Sequence, residues 1–301
     1  MIPLSMLAVV IPNQHSPQIG AVLTALHQQT AAHQIDAIIV VGQDHTGQVA
    51  QWSGVDYIAL PRPTPPALSR DIGAYLATSE YILFLDADCI ARPDLIERLL
   101  ACHAAGQSVV SGSIWLAVEA GIQGYWTACD NTLVFAPWLH HAVAGAQPYL
   151  PSCCLSVRRA AFLAAGGFGP HHGVGGEDID LSLRLRNQGH LLWFEPRAVV
   201  EHRHIRTSAV AVWQHLRGYG RKHPRYWQAY PMLMPTSHRI ETLRPLAALL
   251  VGWSLPLALR DVVRLYRKTP VLRRYWHLLP GLVFGKSGWY WGVAETLYSE
   301  A

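Results

Sequence analysis

An α/β fold with a mostly parallel central sheet, helices on both faces and a helical appendage at the C-terminus is the architecture this sequence predicts. Three observations carry that expectation. Short, uninterrupted apolar runs such as YILFL at residues 81–85 read as strands buried on both faces. These runs alternate with stretches of helical spacing. From about residue 205 the composition shifts, and seven of the eleven tryptophans lie beyond residue 190, beside Arg and Lys clusters.

Taken in order, Met6–Val10 is the first strand, ending at Pro12, and residues 18–29 follow with Ile19, Val22, Leu23 and Leu26 at helical intervals. Residues 35–41 and 55–60 read as the second and third strands, the latter running into the turn-forming PRPTPP. Residues 69–78 are helical and 81–85 a strand. A helix starts near Pro93 and carries Leu95, Ile96, Leu99 and Leu100. Residues 109–117 are extended, whereas 123–150 show no period that places them. Ser152–Val157 is a strand and RRAAFLAAGGF a helix closed by glycine. The catalytic core is expected over 1–230, with 231–301 as the appended helical region.

The totals restrict the function. Half of the 301 residues are hydrophobic, 15% are charged, and the net charge is +4 with sixteen histidines. That mild basic excess suits anionic ligands or a membrane surface and argues against nucleic acid, which calls for a denser basic stripe. Five cysteines without a C-x-x-C point to a reduced, cytoplasmic compartment. The opening MIPLSMLAVVIP has no basic n-region and reads as a buried strand, not a signal peptide.

Two acidic clusters carry the chemistry. Asp86-Ala87-Asp88 follows YILFL at the carboxyl end of a strand, where open α/β sheets bind ligands. If extended, both carboxylates face one side and suit a hard divalent cation holding phosphate oxygens; the competing reading is a polar turn capping the next helix. The second cluster opens GGEDIDLSLRLRNQG. Its leucines fit either period, but glycines and acids at one end, and Arg184, Arg186 and Gly189 at the other, mark a helix in which Asp180 and Arg184 pair. Glu177 and Asp178 then sit in the first turn, where they either complement the helix dipole or supply an ionised base for an incoming hydroxyl. His202, after the short strand AVV, is either a structural histidine or the imidazole of a site with two carboxylates, with His204 as its competitor.

These pieces, in this order, resemble family 2 of the inverting, nucleotide-sugar-dependent glycosyltransferases with the GT-A (Rossmann-like) fold. The stretches are AVVIP, LSRDIGAYLATSEYILFLDADC, LSVRRAAFLAAGGFG, GGEDIDLSLRLRNQGH and AVVEH, together spanning about residues 6–225. The resemblance implies that Asp86, Asp88 and His202 hold Mg²⁺ or Mn²⁺, with Asp86 also on the diphosphate of a nucleoside-diphosphate sugar. It makes Asp178 the catalytic base and Glu177 the residue that places a saccharide or lipid-linked acceptor. Pro12 and Asn13 fall in the nucleotide loop, and Arg70 and Asp71 match the family's Arg-Asn pair. Where the family carries an acidic pair and Gly-Ser after the second strand, this chain has VVGQDHTG, with Asp44 shifted from the base-recognising position. A sugar-phosphate nucleotidyltransferase is an alternative, though IPNQHSPQ lacks a glycine-rich phosphate loop. A catalytically inert, membrane-associated binding protein on the same fold is another.

The C-terminal third leaves three readings. Residues 245–259 hold fifteen uncharged residues with an internal proline, short of the ~20 needed to cross a bilayer. The following LRDVVRLYRKTPVLRRYW and GWYWG have the composition of interfacial helices. A helical cap on the core, peripheral attachment to the cytoplasmic face of the cell membrane, and a transmembrane pass are the possibilities. Arg203, Arg206, Arg217, Arg221, Lys222 and Arg225 form a separate basic stretch, meeting phosphate or lining a solvated face.

Overall fold

The computed structural model describes residues 6–116, 121–169, 176–229 and 247–299. Packing divides the chain into one unit of Met1–Trp115 with His140–Arg203, and a second of Leu116–Leu139 with His204–Ala301. One boundary of this division, at 203/204, falls where the composition changes, whereas those at 115/116 and 139/140 had no such signal; the catalytic boundary expected at 230 concerns function and is a separate matter.

The first unit is the α/β body. Its strands are β1 (Leu7–Gln14), β2 (Ile35–Gln43), β3 (Val55–Ala59), β4 (Tyr81–Leu85), β5 (Cys89–Ala91), β6 (Val109–Ile114), β7 (Gly145–Ala146), β8 (Cys154–Arg158) and β9 (Leu192–His202). They form a single sheet in the order β3-β2-β1-β4-β8-β6-β9-β5, with β7 on β9. The pairings β3–β2–β1–β4 are all parallel. Beyond β4 the sheet is mixed: β8 runs antiparallel to both β4 and β6, β9 parallel to β6, and β5 antiparallel to β9. Helices α1 (Ile19–His27), α2 (Pro66–Leu76), α3 (Leu95–Ala104), α5 (Arg159–Ala164) and α6 (Glu177–Asn187) belong to this unit.

Leu7–Ile11 and all of β4 are buried, as strands sandwiched between helix layers must be. Helix α2 comes so close to β1 that a Cβ on Gly73 would lie 2.4 Å from Val10 Cγ1. On β4, Phe84 packs against Phe162 and Phe168 with ring centres 5.0 and 5.1 Å away. The register Val10↔Phe84 and Asn13↔Gly42 brings the carboxyl ends of β1, β2 and β4 to one edge of the sheet.

The second unit is helical: α4 (Ile122–Phe135), α7 (Ala209–Ala229), α8 (Ala247–Gly252), α9 (Ser254–Lys268) and α10 (Leu279–Ser299). Close approach of α7 and α10 depends on glycine, since a Cβ on Gly220 would lie 2.0 Å from Trp289 O and one on Gly292 2.0 Å from Arg217 O. The GWYWG stretch is therefore largely a packing surface within its own unit. Among the described residues, no helix is long and apolar enough to cross a membrane.

Candidate functional site

Asp86 and Asp88 sit on a tight turn at the end of β4. The Cys89 N–H donates to Asp86 O at 3.0 Å and closes the turn, while the Asp86 N–H donates to Cys153 O at 3.1 Å. Ser16 Oγ donates to Ala87 O at 2.7 Å, and the Arg203 N–H to Asp88 O at 2.7 Å. Strand alternation, the expected reason for the two carboxylates to converge, is thus replaced by a turn whose carbonyls are each fixed. The pairing Cys89↔His202 between β5 and β9 then carries His202 to Asp88, with Nε2 3.5 Å from Oδ1.

A carboxylate oxygen of Asp88, a ring nitrogen of His202 and Cys89 Sγ all lie within 4.8 Å of one another. Cys89 was not a sequence candidate. Burial, and then the neighbouring Cys153, push its thiol well above the ordinary range. One carboxylate and one imidazole, with a second carboxylate in the same turn, fit a hard to borderline divalent cation.

Asp86 has a different immediate partner. Arg70, buried on α2, donates from Nη2 to Asp86 Oδ1 at 2.5 Å and holds Nη1 3.6 Å from Glu177 Oε1. One guanidinium thereby links the turn after β4 to the start of α6. Its Nε and Nη1 are buried and make no hydrogen bond. A buried guanidinium held between two carboxylates ties these segments together, and its unspent donors call for a further acceptor.

Asp71, the next residue, bonds to the chain that follows α5. Its Oδ1 accepts the Phe168 N–H at 2.8 Å. Gly167 has φ +64°, and a Cβ there would lie 2.6 Å from the same oxygen, which explains why GGF closes the preceding helix.

The acidic stretch is a helix, as its ends imply. Gly176 enters α6 at φ +80°, and Asp180 accepts from Arg184 Nε at 2.8 Å. Arg184 also donates to Gly167 O at 2.7 Å, tying α6 to the turn after α5. Asp178 is partly buried in the first turn, its Oδ1 accepting the Ile179 N–H at 2.9 Å. The expectation was that a helix N-terminus keeps this carboxylate ionised at pH 7. Desolvation, then the Glu177 charge, push Asp178 up to about 6, against the Ile179 N–H and Arg70. A carboxylate with that pKa is mostly ionised at neutral pH and is near its optimum as a proton acceptor.

At the ends of β1 and β2, Pro12 precedes a buried Asn13, which donates from Nδ2 to Gln43 O at 2.9 Å and accepts the Ser16 N–H at 3.1 Å. Asp44 organises its own loop. Its Oδ1 accepts Thr46 Oγ1 at 2.8 Å and its Oδ2 the Val49 N–H at 2.7 Å. Burial raises its pKa, but these bonds outweigh that and leave it lowered. Beside it His15 and His45 stack at 3.4 Å, with His15 at φ +53°, the single described non-glycine residue with positive φ. Neither histidine stood out in the sequence, because the pairing depends on two loops meeting.

The two histidines of equal parity after β9's apolar run part company. His202 lies at Asp88, whereas His204 belongs to the second unit with its Nε2 3.1 Å from Asp130 Oδ2. The basic stretch beyond them is largely engaged inside the second unit. Arg206 pairs with Asp130, and Arg217 and Arg221 with Glu295. The side chain of Arg225 lies outside the described residues.

A family model described as glycosyltransferase like family 2 matches residues 3–221. Two curated proteins named pre-mycofactocin glycosyltransferase, from Mycobacterium tuberculosis strains CDC 1551 / Oshkosh and ATCC 25618 / H37Rv, are each 31% identical over 157 residues. The match covers 50% of this chain and 32% of each relative, so it spans about a third of those proteins' length.

Proposed function

The chain belongs to glycosyltransferase-like family 2, and from that premise we propose that it moves a hexosyl or deoxyhexosyl group from a nucleoside-diphosphate sugar to a hydroxyl acceptor, with inversion at the anomeric carbon. Membership and the name of the curated relatives support glycosyl transfer as the class of activity, and the mixed α/β sheet is consistent with the GT-A fold. The observation that carries the finer reading is the Arg70 bridge, which gathers Asp86, Glu177 and Asp178 around one buried cation beside the Asp88–His202 pair.

In this reading Asp86, Asp88 and His202 hold Mg²⁺ or Mn²⁺. Such an ion, when bound, offsets negative charge developing on a departing diphosphate. Arg70 turns its unspent donors to donor phosphate. Asp178 takes the proton of the acceptor hydroxyl, and Glu177, one residue earlier in the same turn, fixes that hydroxyl's position. Attack from the face opposite the leaving group needs no covalent nucleophile. Pro12, Asn13 and the neighbouring Asp44 loop border the nucleotide. The acceptor is a saccharide or lipid-linked glycoconjugate in polysaccharide or related assembly, and the chain works peripherally at the cytoplasmic face of the cell membrane.

The test is a panel of nucleoside-diphosphate sugars with Mn²⁺ or Mg²⁺, scored for binding and slow hydrolysis. Asp178→Asn is expected to lower transfer about 10²–10⁴-fold while donor affinity stays near wild type. Equal loss of both would remove Asp178 as the base, and donor affinity unchanged by chelation would remove the metal.

A further inference from the structure

We propose that α9 is a docking face for an anionic phospholipid bilayer, lying along the headgroup layer. The inference rests on the peripheral placement proposed above and is independent of the chemistry at Asp178.

Three rows run along this helix at i, i+4 intervals. Ser254, Ala258 and Val262 are buried and face into the unit. Next to them come Leu255, Leu259 and Val263, of which Leu255 is 58% and Leu259 46% exposed. Alongside these, Arg260, Arg264 and Lys268 recur with the same period and are all exposed. Trp253 stands exposed just before the helix, and after it come exposed Arg273, Arg274 and Trp276. An exposed leucine row beside a cationic row, with a tryptophan just before the helix and another in the segment that follows it, suits a helix in a membrane interface. The leucines reach the acyl boundary, and the long basic side chains extend to the lipid phosphates.

Charge selects the occupant. Residues 247–299 contain seven Lys and Arg against two acids, Asp261 and Glu295. Both acids are engaged within the unit, Asp261 with Arg260, Tyr290 and, at 3.9 Å, Arg264, and Glu295 with Arg217 and Arg221. A zwitterionic bilayer would satisfy the leucine row alone, whereas an anionic one satisfies both rows. A second copy of the chain would set like charges against each other across the contact.

The experiment is co-sedimentation of the full chain with phosphatidylcholine vesicles, with and without phosphatidylglycerol, at low and high salt. Binding to the anionic vesicles is expected, with release at high salt. Arg264→Gln with Lys268→Gln should weaken that binding about twenty- to thirtyfold. Leu255→Ser with Leu259→Ser should weaken it at least about tenfold. These four positions are exposed, so unchanged melting curves would show that the variants fold. Equal binding to both vesicle types would leave peripheral attachment standing but overturn the choice of anionic lipid. Binding to neither type would overturn attachment itself. A dimer in light scattering that the leucine variants return to monomer would assign the face to a second copy and defeat the proposal.

Discussion

Two clusters in this molecule are made from the same parts and behave oppositely. In the first unit Asp86, Glu177 and Asp178 surround Arg70, with His202 close by on Asp88. In the second, Asp130 on α4 accepts from His215 Nδ1 at 2.7 Å and Arg206 Nε at 2.9 Å, with His204 Nε2 at 3.1 Å. Burial would raise the Asp130 pKa, but hydrogen bonds from His204 and His215, and then the charge of Arg206, hold it far below the usual carboxylate range. Asp130 is surrounded by donors. The first cluster has three carboxylates around one guanidinium and an acid pushed up to about 6. A carboxylate held ionised by its donors stabilises a fold, whereas carboxylates crowded around one cation, one of them with a raised pKa, mark a candidate functional site.

The largest expected contrast is in stability. Asp130→Asn leaves the partly buried Arg206 facing a neutral amide and should cost about 1–3 kcal/mol, read as a lower denaturant midpoint. Asp178→Asn, the variant expected to lose transfer, should leave that midpoint unchanged or raise it, because the folded state holds this carboxylate charged only at a cost. If both substitutions destabilised equally, the division into a structural and a functional cluster would fail.

The pH dependence of stability should divide in the same way, with smaller effects. Asp130 has a folded pKa below its unfolded value of about 3.9, so its contribution is complete above that value and is lost as pH falls toward the folded one. Asp178 has a folded pKa of about 6, above its unfolded value. Its ionisation therefore opposes folding above about pH 6, and the penalty is relieved as pH falls through that value. Comparing the midpoints of wild type and Asp178→Asn at pH 5 and pH 7 isolates the second term. The gap between them should widen at pH 7.

Much of the first cluster was legible in the sequence, and almost none of the second. YILFL before Asp86, and the glycines, acids and arginines bounding α6, are local signals, and both elements formed where they pointed. The mechanism of convergence was not legible, since the turn at Asp86–Cys89 is fixed by Ser16, Cys153 and Arg203, all distant in sequence. Helix α4 escaped because Asp130, Asn131 and Thr132 are polar yet buried, which breaks the apolar period, and because Gly121 offers no capping side chain. The short β5 and β7 were not read as strands, and of β9 only the first half was missed. Pro196 interrupts its pattern near a register shift against β6, so the apolar run AVV alone read as strand.

The smallest expected effect sharpens the comparison most, because it separates the two acids within one turn. Glu177 is the second cause of the raised Asp178 pKa after desolvation, so Glu177→Gln removes a negative neighbour while leaving the burial in place. The acid limb of kcat/KM against pH, which reports the base in the enzyme before substrate binds, should fall from about 6 in the wild type to a value under one unit lower. Loss of acceptor placement would lower the height of that profile without moving its limb, so the two roles of Glu177 are read from one data set. A limb that stays at about 6 would show that the titrating group does not sense Glu177 and would take the base assignment away from Asp178.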